Sequence, residues 1–166
     1  MKKNTDPRRA IANARSSLMI LLILTVVNIL LLLFKSASSF PYSLFFTYFA
    51  SYVAYEIWIT EAFVAVALLW GFAVLVELVL FLVAWIRSAK KTNWLLIAGI
   101  LYLLDTAFMI WIYSLGGFDA AQIIDYLMHV WILYSLFNGW FAGKKQKEFD
   151  QLVIIDQPLP EEVHPE

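Results

Sequence analysis

The chain has no cysteine, which excludes disulfide staples, thiolate metal sites and a cysteine nucleophile from its own chemistry. Histidine occurs twice, and glycine and proline are sparse, at six and five of 166 residues. Charge is scarce too: 15% of the residues are Asp, Glu, Lys or Arg, and the formal net charge is −1. That balance removes any bulk electrostatic case for nucleic acid as a partner. The sequence holds no HExxH, CxxC, glycine-rich phosphate loop or GxSxG. The common metalloprotease, thiol-redox, nucleotide-binding and hydrolase signatures are therefore missing.

What is present is apolar. Hydrophobic residues make up 62% of the chain and aromatics 17%, seven of them Trp, where a soluble domain is about half apolar. The apolar residues gather into four runs of about 18 residues or more, the length that crosses a hydrocarbon core. The spacing predicts an all-α, polytopic membrane protein: four transmembrane helices in an up-down bundle, over about 16–34, 61–85, 94–115 and 122–141. A basic lead of residues 1–15 precedes the membrane domain (16–143), and a tail (144–166) follows it. The tail's last ten residues have no apolar period and read as disordered. The basic lead and first apolar run resemble a signal peptide in outline, but that run exceeds the usual h-region of about 7–15 residues. It reads as an uncleaved first span.

Residues 42–58 are the ambiguous stretch. Phe45, Phe46, Tyr48, Phe49, Tyr52, Tyr55 and Trp58 are interleaved there with Ser and Thr. Amphipathic rings prefer the headgroup level, so an interfacial or shallow re-entrant helix is expected. Charge counting supports this over a fifth span. With four spans, eleven of the twelve Lys and Arg residues fall on one side, Lys35 being the exception; with five, the basic clusters split. The positive-inside rule then places both termini in the cytoplasm, with the chain multi-pass in the membrane.

Inside the runs lie five polar residues that lipid makes costly: Asn28, Glu77, Asp105, Asp125 and His129. Asp125 and His129 are four residues apart, hence on one helical face. At ~1.5 Å rise per residue, Asn28, Asp105 and His129 all sit ~20–23 Å from the nearest basic anchor. Glu77 lies about one turn nearer the cytoplasm, and Asp125 one turn further out. In an up-down bundle these groups converge on a polar pocket in the outer half.

Each has a plain structural role open to it. Asn28 with Thr25 is interhelical hydrogen-bonding glue, Glu77 and Asp105 can be neutral acids bonded within the bundle, and Asp125 suits a first helical turn. DxxxH offers two metal ligands at a nonspecific spacing, and with one transmembrane His neither a metal nor another cofactor is expected. No catalytic residue is assigned, and an enzyme is the least favoured class.

The segments LYLLDTAFMIW, GFDAAQIIDYLMHVWILYSLFNGWFAGKK and ARSSLMILLILTVVNILLLL carry a pattern. It consists of Asp105-Thr106, then Asp125, then the run His129 to Tyr134, closed by a small residue and a basic cluster. In this the chain resembles a family of small uncharacterised four-helix integral membrane proteins from Gram-positive bacteria. The resemblance covers the first helix and the C-terminal half. It implies four membrane helices and supplies no activity. The expected function is a structural or accessory membrane component whose polar residues hold the bundle or a partner together. The alternative is a small proton-coupled transporter or permease component using the acids and His129. Expected partners are the lipid bilayer and either a second copy or another membrane protein.

Overall fold

Asp6 opens the first helix: its carboxylate accepts the N–H of Arg8 at 3.0 Å, and Pro7 takes the first helical position, where no N–H is needed. The computed structural model describes residues 6–36, 39–60, 63–117, 119–120 and 122–155. Its elements are α1 (Pro7–Leu33), α2 (Phe45–Ile59), α3 (Val64–Ser88), α4 (Asn93–Gly116) and α5 (Gln122–Ile155). The chain is all-helical among the described residues. Residues 7–15 of the basic lead are the first turns of α1 rather than a separate segment.

Three helices, α1, α3 and α4, are long and apolar enough to cross a membrane. α5 is the longest, at 34 residues, yet it is not among the three. His129 and Asn138 dilute its apolar stretch, and it continues through the Lys144–Lys147 cluster as helix to Ile155. The helix thus runs on past the expected span end near residue 141, since a basic, polar segment with no Gly or Pro after Gly143 can continue a helix. The tail end expected to be disordered, 157–166, lies outside the described residues.

The four long helices form a closed ring in the order α1, α5, α4, α3, with α3 again meeting α1. Neighbours run antiparallel. A short turn at 89–92 joins α3 to α4, and Gly117, at φ +85°, ends α4 with a backbone that suits glycine. The Arg15 guanidinium stands 6.0 Å over the Trp85 ring, so the start of α1 lies beside the end of α3. α2 packs mainly on α3 and also touches α1 and α4.

The seam between α1 and α5 is built from small residues. Ala10, Ala14 and Ser17 face Ser135 and Gly139, with the two serine hydroxyls 3.0 Å apart. A Cβ on Gly139 would overlap that of Ala14 and come within 3.3 Å of the Ala10 carbonyl. Gly139 thus lets the two backbones approach where a side chain would hold them off. Around this seam lies the apolar core, with Leu18, Leu21, Phe81, Leu95, Tyr102, Ile132 and Leu136 all fully buried.

Candidate functional site

After α1 ends, the chain doubles back along it. Residues 39–44 run down the α1 surface, and Tyr42, Ser43 and Leu44 are buried. Asn28 holds the first part of this segment from both sides: its Oδ1 accepts the Phe40 N–H at 2.8 Å, and its Nδ2 donates to the Phe40 carbonyl and the Ser43 hydroxyl, each at 2.8 Å. Thr25 holds the second part. Its hydroxyl donates to the Leu21 carbonyl at 2.7 Å and accepts the Leu44 N–H at 2.9 Å. Further along α1, the Tyr42 hydroxyl donates to the Ser17 carbonyl at 3.3 Å. Thr25 lies eight residues before the end of α1, so the return covers about 12 Å of helix.

α2 therefore begins inside the ring of helices. The first N–H groups of any helix lack intrahelical acceptors, and the residue at the cap position, Leu44, has no side chain able to supply one. Asp105, midway along α4, does so instead. Its Oδ2 accepts the Phe45 N–H at 3.1 Å and its Oδ1 accepts the Phe46 N–H at 2.7 Å. A carboxylate here also meets the positive end of the α2 dipole. One acid on one helix thus caps another helix.

His129 closes the other side of Asp105, with Nε2 3.4 Å from Oδ2. Both side chains are almost fully buried, and this is the one contact within 4 Å between a basic and an acidic side chain among the described residues. The Nδ1 atom lies 2.8 Å from the Asp125 carbonyl oxygen, one turn back on α5. A carbonyl only accepts, so Nδ1 carries a hydrogen. Nε2 faces the Asp105 carboxylate across that 3.4 Å contact and makes no hydrogen bond among the described residues. The Tyr102 ring stacks on the imidazole, 5.0 Å between centroids and 10° from parallel, and fixes its plane.

The other two acids find partners apart from this centre. Glu77 on α3 accepts the Thr47 hydroxyl of α2, tying the first turn of α2 to α3. The Asp125 carboxylate accepts the Tyr113 hydroxyl at 2.5 Å, which joins the start of α5 to the end of α4. Of the five residues singled out in the sequence, Asp105 and His129 meet directly. Asn28 and Asp125 line one small cavity with His129, of about 80 Å³, completed by Ser43, Tyr48 and Tyr113. Glu77 is absent from that cavity. It shares with Asp105 a separate apolar groove between α3 and α4, of about 370 Å³ and flanked by Phe46 and Phe108. The expected single pocket is thus two separate spaces, one lined by Asn28, Asp125 and His129 and the other by Glu77 and Asp105.

Thr25, Ser43, Thr47 and Tyr113 complete the hydrogen bonding and were not singled out beforehand, apart from Thr25 as a companion of Asn28. Thr25 and Asn28 are three apart on one face of an otherwise apolar helix, and that spacing was the available signal. Nothing local to Thr47 or Tyr113 marks them, because their partners lie on other helices. No group of three or more His, Asp or Glu side chains among the described residues could hold a metal ion.

No family model, curated protein or solved structure matches the chain. The chain is all-helical among the described residues, and its three long apolar helices support a membrane location.

Proposed function

We propose that the protein is a structural or accessory component of the bacterial cell membrane, of the kind the Gram-positive resemblance implies, with its intramembrane polar residues serving the bundle. In this reading α1, α3, α4 and the first two-thirds of α5 are four spans. Both termini are cytoplasmic, and residues 39–59 enter from the outer side as a loop and return as half-helix α2. Non-helical backbone at that depth is tolerated only where protein covers it, and Asn28 and Thr25 provide that cover. The observation that carries the reading is the use of Asp105: its carboxylate is taken up by two backbone N–H groups of α2 and by His129. Asn28, Glu77 and Asp125 are likewise bonded within the fold. A lipid-facing partner, or a second copy, would dock on the apolar outer faces of the spans.

A second reading, a proton-coupled transporter or permease component, draws on the cavity beside His129. An imidazole and a carboxylate in contact, with a space of about 80 Å³ at their edge, are the parts from which a proton relay is made.

Two variants separate the readings. His129→Gln keeps polarity and cannot titrate. If the residue is only bonding within the bundle, detergent thermal stability and growth complementation at acidic and alkaline external pH stay near wild type. His129→Leu then loses about one interhelical bond, ~1 kcal/mol. A Gln variant that folds normally and loses all complementation would overturn the structural reading in favour of the relay. Reporter fusions at Gly117 and after Ile155 test the topology; reporters on the same side would reject four spans.

A further inference from the structure

We propose that the end of the bundle opposite Asp105 is a binding site for a phosphate-bearing anion, which in a membrane setting is the headgroup of an acidic phospholipid. The start of α1, the turn between α3 and α4, and the α5 segment beyond Gly143 enclose a cleft of about 370 Å³ there. Its walls carry Arg8, Arg15, Lys90 and Lys147, with Asp150 the one acid. None of the four cations has an ion-pair partner among the described residues. Like charges converging on one cleft repel, and an anion between them removes that cost.

Arg15 gives the cleft its specificity. Its Nε is buried and makes no hydrogen bond, although a guanidinium N–H taken from water ordinarily finds an acceptor. Trp85 lies under the guanidinium at 6.0 Å and restricts the plane in which Arg15 can present its donors. A planar fork of donors suits the oxygens of a phosphate better than a point charge does. Thr92 adds a second feature. It occupies the cap position of α4 without making a side-chain cap bond, and the first turn of α4 holds no acid. The positive end of that 24-residue helix therefore opens beside the four cations without a carboxylate in its own first turn. Gly143 packs so closely on Thr92 that a Cβ there would overlap the threonine side chain, which fixes α5 as the far wall.

Basic residues at one end of a membrane bundle are expected as anchors in any case. Anchors need only reach the headgroup level. They need not converge, remain unpaired, or bury a guanidinium nitrogen without an acceptor. Basic pockets between spanning helices are known as a mode of acidic lipid recognition.

The test uses the full chain in neutral detergent at fixed ionic strength, following the thermal unfolding midpoint. Phosphatidylglycerol, phosphatidylcholine and inorganic phosphate are titrated separately. Phosphatidylglycerol is expected to raise the midpoint and phosphatidylcholine to leave it unchanged. Arg8→Gln and Lys147→Gln should each weaken the apparent affinity about fivefold, roughly what one cation near an anionic headgroup contributes. Arg15→Gln should weaken it further. Lys144→Gln and Arg87→Gln are the charge-matched controls, since Lys144 stacks on Trp140 at 4.1 Å and Arg87 on Trp94 at 5.4 Å; both should leave affinity intact. Should Arg15→Gln fail to fold, the Arg8 and Lys147 variants decide alone. An equal rise with inorganic phosphate keeps the site and makes a soluble phosphate ester its ligand. No rise with either anion, or an equal loss in the controls, overturns the proposal.

Discussion

Two regions hold this molecule together by different physics. Along the α1–α5 seam, Ala10, Ala14, Ser17, Ser135 and Gly139 bring two backbones close enough that a single added Cβ would collide. Nothing there depends on charge. Around α2, by contrast, the apolar side chains are half-buried aromatics, and position is set by Asn28, Thr25, Asp105 and Glu77 acting on backbone and hydroxyl groups. The difference follows from what each element is. α1 and α5 are long helices with their backbone bonds satisfied internally, so in lipid they need only dispersion and close fit. α2 is a 15-residue helix that starts inside the ring, and its open N–H groups must be met by someone. Polar residues gather where a backbone end is buried, and small residues gather where two complete helices touch.

Substitutions can break either side of this contrast. The largest loss is expected for Asp105→Ala, which strands two N–H groups and a buried imidazole at once. Removing one member of a buried pair costs about 3–5 kcal/mol, and the detergent unfolding midpoint should fall accordingly. Gly139→Val comes next. Overpacking a tight seam costs about 1–3 kcal/mol, and the loss should be accompanied by increased protease cleavage near the ends of α1 and α5, with α2 unaffected. Asn28→Leu, nearly isosteric and unable to hydrogen-bond, leaves the Phe40 N–H and carbonyl without partners. A loss of about 1–3 kcal/mol is expected, together with faster proteolysis within 39–44. Thr47→Val is the mildest, at ~0.6 kcal/mol for one interhelical hydrogen bond, resolvable by comparing unfolding midpoints with those of Ser51→Ala, whose hydroxyl bonds only within α2.

The same contrast explains what the sequence revealed. Apolar run length located α1, α3 and α4 to within a few residues at most boundaries, because crossing length is a local property of composition. The exception was the start of α1, where Pro7 and Asp6 begin the helix well before the apolar run. The five polar residues stood out for the same local reason, each being costly in its own run. Their pairing did not follow. The depth estimate put Asn28, Asp105 and His129 at one level, and Asp105 does meet His129, but Asn28 turns to the Phe40 backbone instead. Helix azimuth decides between those outcomes, and azimuth comes from packing against neighbours. The role of Asp105 as a cap was hidden for a related reason: the helix it caps begins sixty residues earlier in the chain. The seam was legible in principle. Gly139 facing Ala10 and Ala14, themselves four apart, with Ser17 and Ser135 beside them, is a small-residue pattern known to bring helices together.

The capping of α2 by Asp105 is the centre of this account, and amide hydrogen exchange of Asp105→Ala against wild type tests it most directly. The account predicts that exchange accelerates at Phe45 and Phe46 and through the first turns of α2, while α1 and α5 around Ala14 and Gly139 keep their protection. Asp105→Asn, which retains one acceptor oxygen, should fall between the two. Unchanged protection at Phe45 and Phe46 in Asp105→Ala would contradict the account, as would a uniform loss across all five helices.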